Sequence, residues 1–160
     1  MISRRFRPVA DERLDFAFLF ADSFVVVAGA QNPWVRRRKI ELADLMKECW
    51  AMPSPDSAVG ALFGEAFRSS RLDYPRTTVV ASAPEVRIGL AVTGLFLTMI
   101  SASALLFPTK RPEIKVLPVE LPAARVPIGI VTLKSRTLSP TAQLFIQHAR
   151  EVAKPLAKEK

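Results

Sequence analysis

The 160-residue chain has very few of the residues that most metal and enzyme sites use, with one cysteine, Cys49, and one histidine, His148. A single cysteine excludes an internal disulfide framework. One cysteine and one histidine are too few for a zinc site of the usual nitrogen and sulfur kind. A serine–histidine–acid triad would have to use His148, which falls in a predicted terminal helix and is typical of a surface position. We therefore expect no metal, no cofactor and no enzyme activity.

Glycine is also scarce, with six residues in the chain, and Gly60 and Gly64 do not follow the spacing of a phosphate-binding loop. No internal repeat or low-complexity stretch is visible. Apolar residues make up 49% of the chain and charged residues 24%, which is ordinary globular usage. The composition indicates one domain or a piece of a larger one.

The net charge of +8 comes from 23 basic and 15 acidic residues. Such a surface attracts nucleic acid or anionic lipid without specificity. The basic residues are spread along the chain, whereas a DNA-binding element would concentrate them on one element beside polar groups that reach bases. A solvated basic surface is therefore favoured over direct binding of nucleic acid by this chain.

No membrane segment is predicted. The N-terminal residues do not form a secretory signal, because acidic residues interrupt them from Asp11 onward. No charged residue lies between Arg87 and Lys110, a gap of about the length of a spanning helix. Glycine, serine and threonine dilute that stretch, and its second half is typical of a buried strand.

Strands and helices alternate along the predicted chain, which indicates an α/β fold. Runs of β-branched and aromatic residues predict strands at 14–20, 23–28, 50–52, 77–81, 95–100, 114–121 and 126–133. Helices are predicted at 41–48, at 84–92, where Gly94 ends the helix, and from Ser139 onward. A further helix is predicted after Asp56–Ser57, which offers an N-cap, and its apolar residues at helical spacing are Val59, Leu62, Phe63, Ala66 and Phe67. The last helix has a predicted apolar stripe of Phe145, Ala149, Val152, Ala153 and Leu156.

Three segments together resemble the effector-binding domain of LysR-type transcriptional regulators. They are LFADSFVVVAGAQNPWVRRRKIELADL at 19–45, PRTTVVASAPEVRIGLAVTGLFLTMISASAL at 75–105 and KVLPVELPAARVPIGIVTLKSRTLSPTAQLFIQHAREVAK at 115–154. They occur in the expected order over nearly the whole chain. Two positions depart from the family pattern, because Phe96 stands in place of a glycine and Ser101 in place of a proline.

The resemblance implies a periplasmic-binding-protein-like (type 2) α/β fold, with one complete lobe and the C-terminal part of the other. Residues 1–28 are then hinge-side strands, 29–113 form the second lobe, and 114–160 form the return strand and C-terminal helix of the first lobe. No helix-turn-helix is present, and the chain looks truncated at its N-terminus. DNA contact would therefore belong to an N-terminal domain outside this sequence.

The candidate ligand site follows the strand at 77–81. Open α/β sheets bind ligands at the carboxyl ends of strands, next to helix N-termini. Ser82, Ala83 and Pro84 occupy such a place, where free backbone N–H groups and the helix dipole suit an anion. Glu85 would oppose a carboxylate unless it points away. The alternative explanation of Glu85 is an acid at a helix N-terminus that the helix dipole stabilises.

Two further residues, Thr98 and Phe20, are candidate ligand-binding residues, and each has an alternative explanation as a core residue. Thr98 either turns its hydroxyl toward the same cleft or fills the core as a β-branched residue. Phe20 lies where relatives contribute a cleft residue beside the hinge, and it is otherwise an ordinary core phenylalanine.

The resemblance implies a cytoplasmic, self-associating sensor of a small molecule, of which an anionic metabolite suits the site best. Ligand binding between the lobes would alter the DNA-bound oligomer of the regulator. The alternatives are a stand-alone periplasmic-type solute-binding protein and a small α/β enzyme. The first would need an export signal and a complete first lobe, and the second lacks a recognisable catalytic motif.

Overall fold

Extended segments rich in β-branched residues form two separate sheets in the computed structural model. The structure describes residues 12–106, 113–122 and 125–157, together with the backbone of residues 2–4. The chain divides into a terminal unit, Met1–Asp22 with Arg125–Lys160, and a central unit, Ser23–Ala124. The sequence placed the corresponding boundaries near residues 28 and 113, and its assignment of these parts to lobes stays a prediction. The predicted hinge-side segment includes residues 1 and 5–11, which lie outside the described residues.

The terminal unit is a three-stranded antiparallel sheet with one helix. The strands are β1 (Ile2–Arg4), β2 (Leu14–Asp22) and β8 (Val126–Leu133), and β8 lies in the middle. Helix α3 (Pro140–Ala153) contacts β2. It begins as predicted, because the Ser139 hydroxyl accepts a hydrogen bond from the Ala142 N–H at 3.3 Å.

The predicted apolar stripe of α3 is partly wrong. Phe145 and Val152 are 54% and 57% exposed, whereas Ala153 is buried. The half-buried positions Ile146 and Ala149 precede Ala153 at helical spacing, so this face of the helix is the one turned inward. The inward face therefore differs from the predicted one. Ile146, rather than Phe145, lines a cavity together with Ala17 and Ile130 of the sheet.

The central unit is a five-stranded mixed sheet in the order β5-β4-β6-β3-β7. Its strands are β3 (Phe24–Gly29), β4 (Trp50–Met52), β5 (Thr77–Val80), β6 (Leu97–Ser101) and β7 (Ile114–Val116). The β4 strand pairs in parallel with β5 and β6, whereas β3 pairs antiparallel with β6 and β7. The carboxyl ends of β4, β5 and β6 therefore lie at one edge of the sheet.

Two helices cover opposite faces of the central sheet. Helix α1 (Ala58–Ser69) packs Phe63 against Phe24 and Phe67 against Trp50, both edge to face. Helix α2 (Pro84–Val92) packs Ile88 with Val27 and Ile100. Because alternate residues of a strand point to opposite faces, Phe24 and Val27 mark the two sides.

Two predicted elements of the central unit are altered. The helix predicted at 41–48 is a 3-10 helix, Leu42–Lys47, with Leu42 and Leu45 buried. The strand predicted at 114–121 ends at Val116, because Pro118 lacks the N–H that continued pairing requires. After Val116, the Leu117 N–H still donates to the Val26 carbonyl oxygen at 2.9 Å, and Val119 forms an isolated parallel bridge with Ile40.

The remaining described elements are the short 3-10 helices Pro33–Arg36 and Ala102–Leu105. Within the described ranges, no helix combines the length and the apolar character that crossing a bilayer requires.

Candidate functional site

The segment between β5 and α2 forms an exposed corner at the carboxyl edge of the central sheet. The Ala81 N–H donates to the Met52 carbonyl oxygen at 2.9 Å and so continues the pairing of β5 with β4. Ser82, Ala83 and Pro84 follow, and all three are exposed. Helix α2 begins at Pro84, whose ring fixes φ near the helical value and whose missing N–H is not needed there.

The N-terminus of α2 has no side-chain cap. Its N-cap residue is Ala83, which has no hydrogen-bonding side chain. By contrast, Ser57 caps α1 through the Gly60 N–H at 3.0 Å, and Ser139 caps α3. Among the described α-helices, α2 is therefore the one whose first-turn N–H groups are left to solvent or a ligand. Glu85 lies in this first turn and is exposed.

Arg87 lies directly behind this corner, and the sequence did not single it out. Its side chain is buried, and Nη1 donates to the carbonyl oxygens of Ala81 and Ser82 at 2.9 and 3.0 Å. The sequence carries one partial signal of this burial, because Arg87 lies four residues before the apolar Ala91 and therefore on the same face of the predicted helix.

Burial lowers the pKa of the Arg87 guanidinium below its ordinary value, whereas the nearby Tyr74 and Glu85 raise it. An arginine remains charged at neutral pH even so. The Cζ atom of Arg87 lies 5.8 Å from the centre of the Phe63 ring, within the range of a cation–π contact. The corner at Ser82 is therefore backed by a buried positive charge.

Thr98 lies in the core of the central unit. It is 0% exposed, pairs with Val27 and precedes the carboxyl end of β6 by three residues. It shares a sheet face with Ile100, which packs with α2. Its hydroxyl oxygen is buried without a hydrogen-bond partner in the part of the chain that the structure describes. Thr98 therefore has the position of a core residue, and its role in ligand binding stays a prediction.

Phe20 belongs to the terminal unit, whereas the other four candidates belong to the central unit. It lies in β2 opposite Ile128 and is 9% exposed. Ser82, Ala83 and Pro84 are consecutive and form one corner of the central unit, and a shared site with Phe20 or Thr98 stays a prediction.

The sequence argued against catalytic roles for His148 and Cys49, and both residues lie at the surface. His148 is exposed and lies 3.3 Å from the Glu151 carboxylate one turn further along α3. Cys49 is a free, exposed thiol. Over the described ranges, no three His, Cys, Asp or Glu side chains come close enough to hold a metal ion.

The terminal unit contains a cavity between its sheet and α3. The cavity has a volume of about 610 Å³, and its basic lining residues are Arg150 and Lys154. The acidic Asp15 and Glu151 also line it, so the basic charges have compensating neighbours there.

Comparison with known proteins identifies the family. The sequence matches the family model described as LysR substrate binding domain over residues 3–154. No curated protein is similar enough in sequence to be a significant match.

Solved structures with the same fold share few identical residues with this chain. The CcmR regulatory domain of Synechocystis, in complex with 2-PG, has a TM-score of 0.76 at 18% identity, covering 96% of this chain and 73% of that one. The effector binding domain of QuiR, in complex with shikimate, has a TM-score of 0.71 at 18% identity, with coverage of 96% and 72%. Full-length CbnR, complexed with its target DNA, has the same TM-score and identity.

The match to CbnR covers 96% of this chain but 50% of CbnR, so this chain spans half the length of that regulator. At these identities the structural likeness establishes the fold, and the family model independently covers most of the sequence. The chain therefore belongs to the LysR substrate-binding domain family and has its periplasmic-binding-protein-like, type 2 α/β fold.

Proposed function

We propose that this domain binds a small-molecule effector with an anionic group, and that the Ser82–Pro84 corner holds that group. The observation that carries the proposal is the exposed, uncapped N-terminus of α2 at the carboxyl end of β5. Ligands of open α/β sheets occupy such edges. The first-turn N–H groups and the helix dipole favour a negative charge there.

The three residues of the corner have different roles in this proposal. The Ser82 hydroxyl donates a hydrogen bond to the anion. Ala83 has a side chain too small to cover the N–H groups behind it. Pro84 holds the first turn in helical geometry. Roles for Thr98 and Phe20 stay predictions, and Thr98 would need the packing of α2 on the sheet to open before it met a ligand.

The ligand class is consistent with what a structural neighbour binds. Shikimate, the ligand in the QuiR complex, is a carboxylate at neutral pH. A carboxylate has two oxygens that accept hydrogen bonds from N–H and O–H donors. We propose a small carboxylate as the first class to test.

We propose a regulatory rather than a catalytic role, as part of a cytoplasmic DNA-binding regulator that self-associates. The full-length neighbour CbnR is twice as long as the matched region and is complexed with DNA. DNA contact in the whole regulator would then come from a separate domain. Effector binding alters such an assembly only where the ligand prefers one of its arrangements.

The test is a thermal-shift screen with acetate, succinate and benzoate, each beside its neutral amide. A ligand at about ten times its Kd stabilises the folded protein by about 1.4 kcal/mol. We expect at least one acid, and not its amide, to raise the melting temperature. Ser82→Ala should reduce that shift by removing the hydroxyl donor.

The matched control is Ser135→Ala, which removes an exposed hydroxyl from the terminal unit. It should leave the shift unchanged. Equal shifts for acids and amides, or equal loss in Ser82→Ala and Ser135→Ala, would contradict the proposed site.

A further inference from the structure

Arg87 is a buried charge without an acidic partner. It is 3% exposed. Among the residues that the structure describes, no carboxylate forms an ion pair with it. Its Nε atom is buried without a hydrogen-bond partner. The two carbonyl oxygens and the nearby Glu85 carboxylate balance part of this charge, and a bound anion would balance it further.

The two hydrogen bonds of Arg87 also fix the direction of two peptide groups. Nη1 holds the carbonyl oxygens of Ala81 and Ser82 on the buried side of the corner. In a trans peptide the N–H of the next residue points opposite to the carbonyl, and no cis peptide is present among the described residues. The N–H groups of Ser82 and Ala83 therefore point away from Arg87, toward the exposed side.

These two N–H groups are available for a ligand. Neither has a hydrogen-bond acceptor among the described residues. A charged donor at each carbonyl polarises the peptide and strengthens its N–H as a donor. The N–H groups of Ser82 and Ala83 thus join the free N–H donors of the first turn of α2. All of these donors lie close to the buried positive charge of Arg87.

We propose that Arg87 is a positioning residue that aims the Ser82 and Ala83 N–H groups at the ligand and makes the corner select an anion over its neutral isostere. This inference rests on the proposed function, because it takes the Ser82–Pro84 corner as the site. Arg87 acts through the peptide groups and through its charge, from behind the corner.

The test titrates the isotope-labelled chain with acetate, or with acetamide as the neutral isostere, and follows the amide signals of Ser82 and Ala83 by NMR. In the unmodified chain, acetate should shift both signals to a saturating limit, and acetamide should not. Arg87→Met keeps a long, buried side chain but removes the charge and the donors. It should weaken acetate binding by at least about tenfold.

Arg87→Lys shows whether acetate binding depends on the charge and donors of residue 87 or only on its side-chain volume. Lysine restores the charge and donors that can reach a carbonyl, so it should bind acetate several times more tightly than Arg87→Met. If Arg87→Met binds acetate as tightly as the unmodified chain, the inference is overturned and the proposed function stands. If none of acetate, succinate and benzoate shifts the Ser82 and Ala83 signals of the unmodified chain, the proposed function fails as well.

A measurement on the unmodified chain decides the inference even where Arg87→Met does not fold. The Arg87 Nε–H group is buried, so its NMR signal is protected from rapid exchange with water. Acetate should shift this signal in parallel with the Ser82 amide, and acetamide should not. An Arg87 Nε–H signal that stays fixed while the Ser82 amide shifts would overturn the role of Arg87.

Discussion

Tyr74 donates its hydroxyl to the carbonyl oxygen of Pro53 at 2.8 Å, which ties the segment before β5 to the end of β4. Burial raises the pKa of this hydroxyl to about 12, and the charge of Arg87 partly opposes the rise. Because the folded protein holds the proton more tightly than the unfolded chain, this contribution to stability is complete below pH 10 and is lost as the pH rises toward 12.

Tyr74 is the one tyrosine of the chain, so tyrosinate absorbance measures its pKa directly. We expect a midpoint near 12 in the folded protein and near 10 in denaturant. Tyr74→Phe, which has no group to ionise, should lose less stability than the unmodified chain over this pH range. A folded-state midpoint equal to the denatured one would show that the Tyr74 hydroxyl is not buried as described.

Two glycines should respond in opposite ways to alanine. A Cβ at Gly60 would collide with the backbone carbonyl of Ser54, which cannot move aside like a side chain. Gly60→Ala should destabilise the central unit by about 1–3 kcal/mol. Gly89 lies on α2 with open space around its Cβ position, so Gly89→Ala should stabilise by roughly 0.5–1 kcal/mol.

Urea denaturation followed by tryptophan fluorescence checks both glycine variants. Both tryptophans, Trp34 and Trp50, belong to the central unit, so the signal reports its unfolding. Equal effects of the two substitutions would show that α1 does not approach Ser54 as closely as described.

Ala83→Ser should stabilise the folded protein and weaken ligand binding. The backbone of Ala83 is already extended, with φ −72° and ψ 123°, as an N-cap residue requires. A serine hydroxyl there would accept a first-turn N–H and stabilise α2 by about 1 kcal/mol. The same bond would occupy a donor that the anion needs, so acetate affinity should fall. Gly89→Ala stabilises the same helix away from its N-terminus and should leave acetate affinity unchanged.

Glu85→Gln should strengthen anion binding. The exposed Glu85 carboxylate lies in the first turn of α2, beside the proposed site. Removing its charge should tighten acetate binding by roughly two- to fivefold at low salt, and added salt should shrink this gain. Glu65→Gln, on the exposed face of α1, is the control and should have little effect. Weaker acetate binding by Glu85→Gln would mean that the ligand does not lie at this end of the helix.

Signals from single residues and their near neighbours in sequence predicted most helices and strands of the central unit. Ser57, Pro84 and Gly94 mark helix ends through capping, ring geometry and a positive φ of 78°, which are properties of single residues. The spacing of Phe63 and Phe67 predicted the buried face of α1, because one helix face meets one sheet face.

Features that depend on distant contacts were predicted less well. The inward face of α3 depends on which side chains meet β2 and β8, and helical spacing alone did not separate Ile146 from Phe145. The candidate site was predicted from a strand followed by a helix start, and the structure has Ser82–Pro84 between β5 and α2 in that order. Arg87 was missed because its burial depends on carbonyl groups that the β5–α2 turn brings to its guanidinium.

A crystal structure of the chain with the tightest-binding acid from the screen tests the central claim most directly. We expect a carboxylate oxygen within hydrogen-bonding distance of the Ser82 or Ala83 N–H, with the Arg87 bonds to the Ala81 and Ser82 carbonyls retained. A carboxylate bound to Arg150 and Lys154 in the cavity of the terminal unit, with the Ser82 corner empty, would contradict the account.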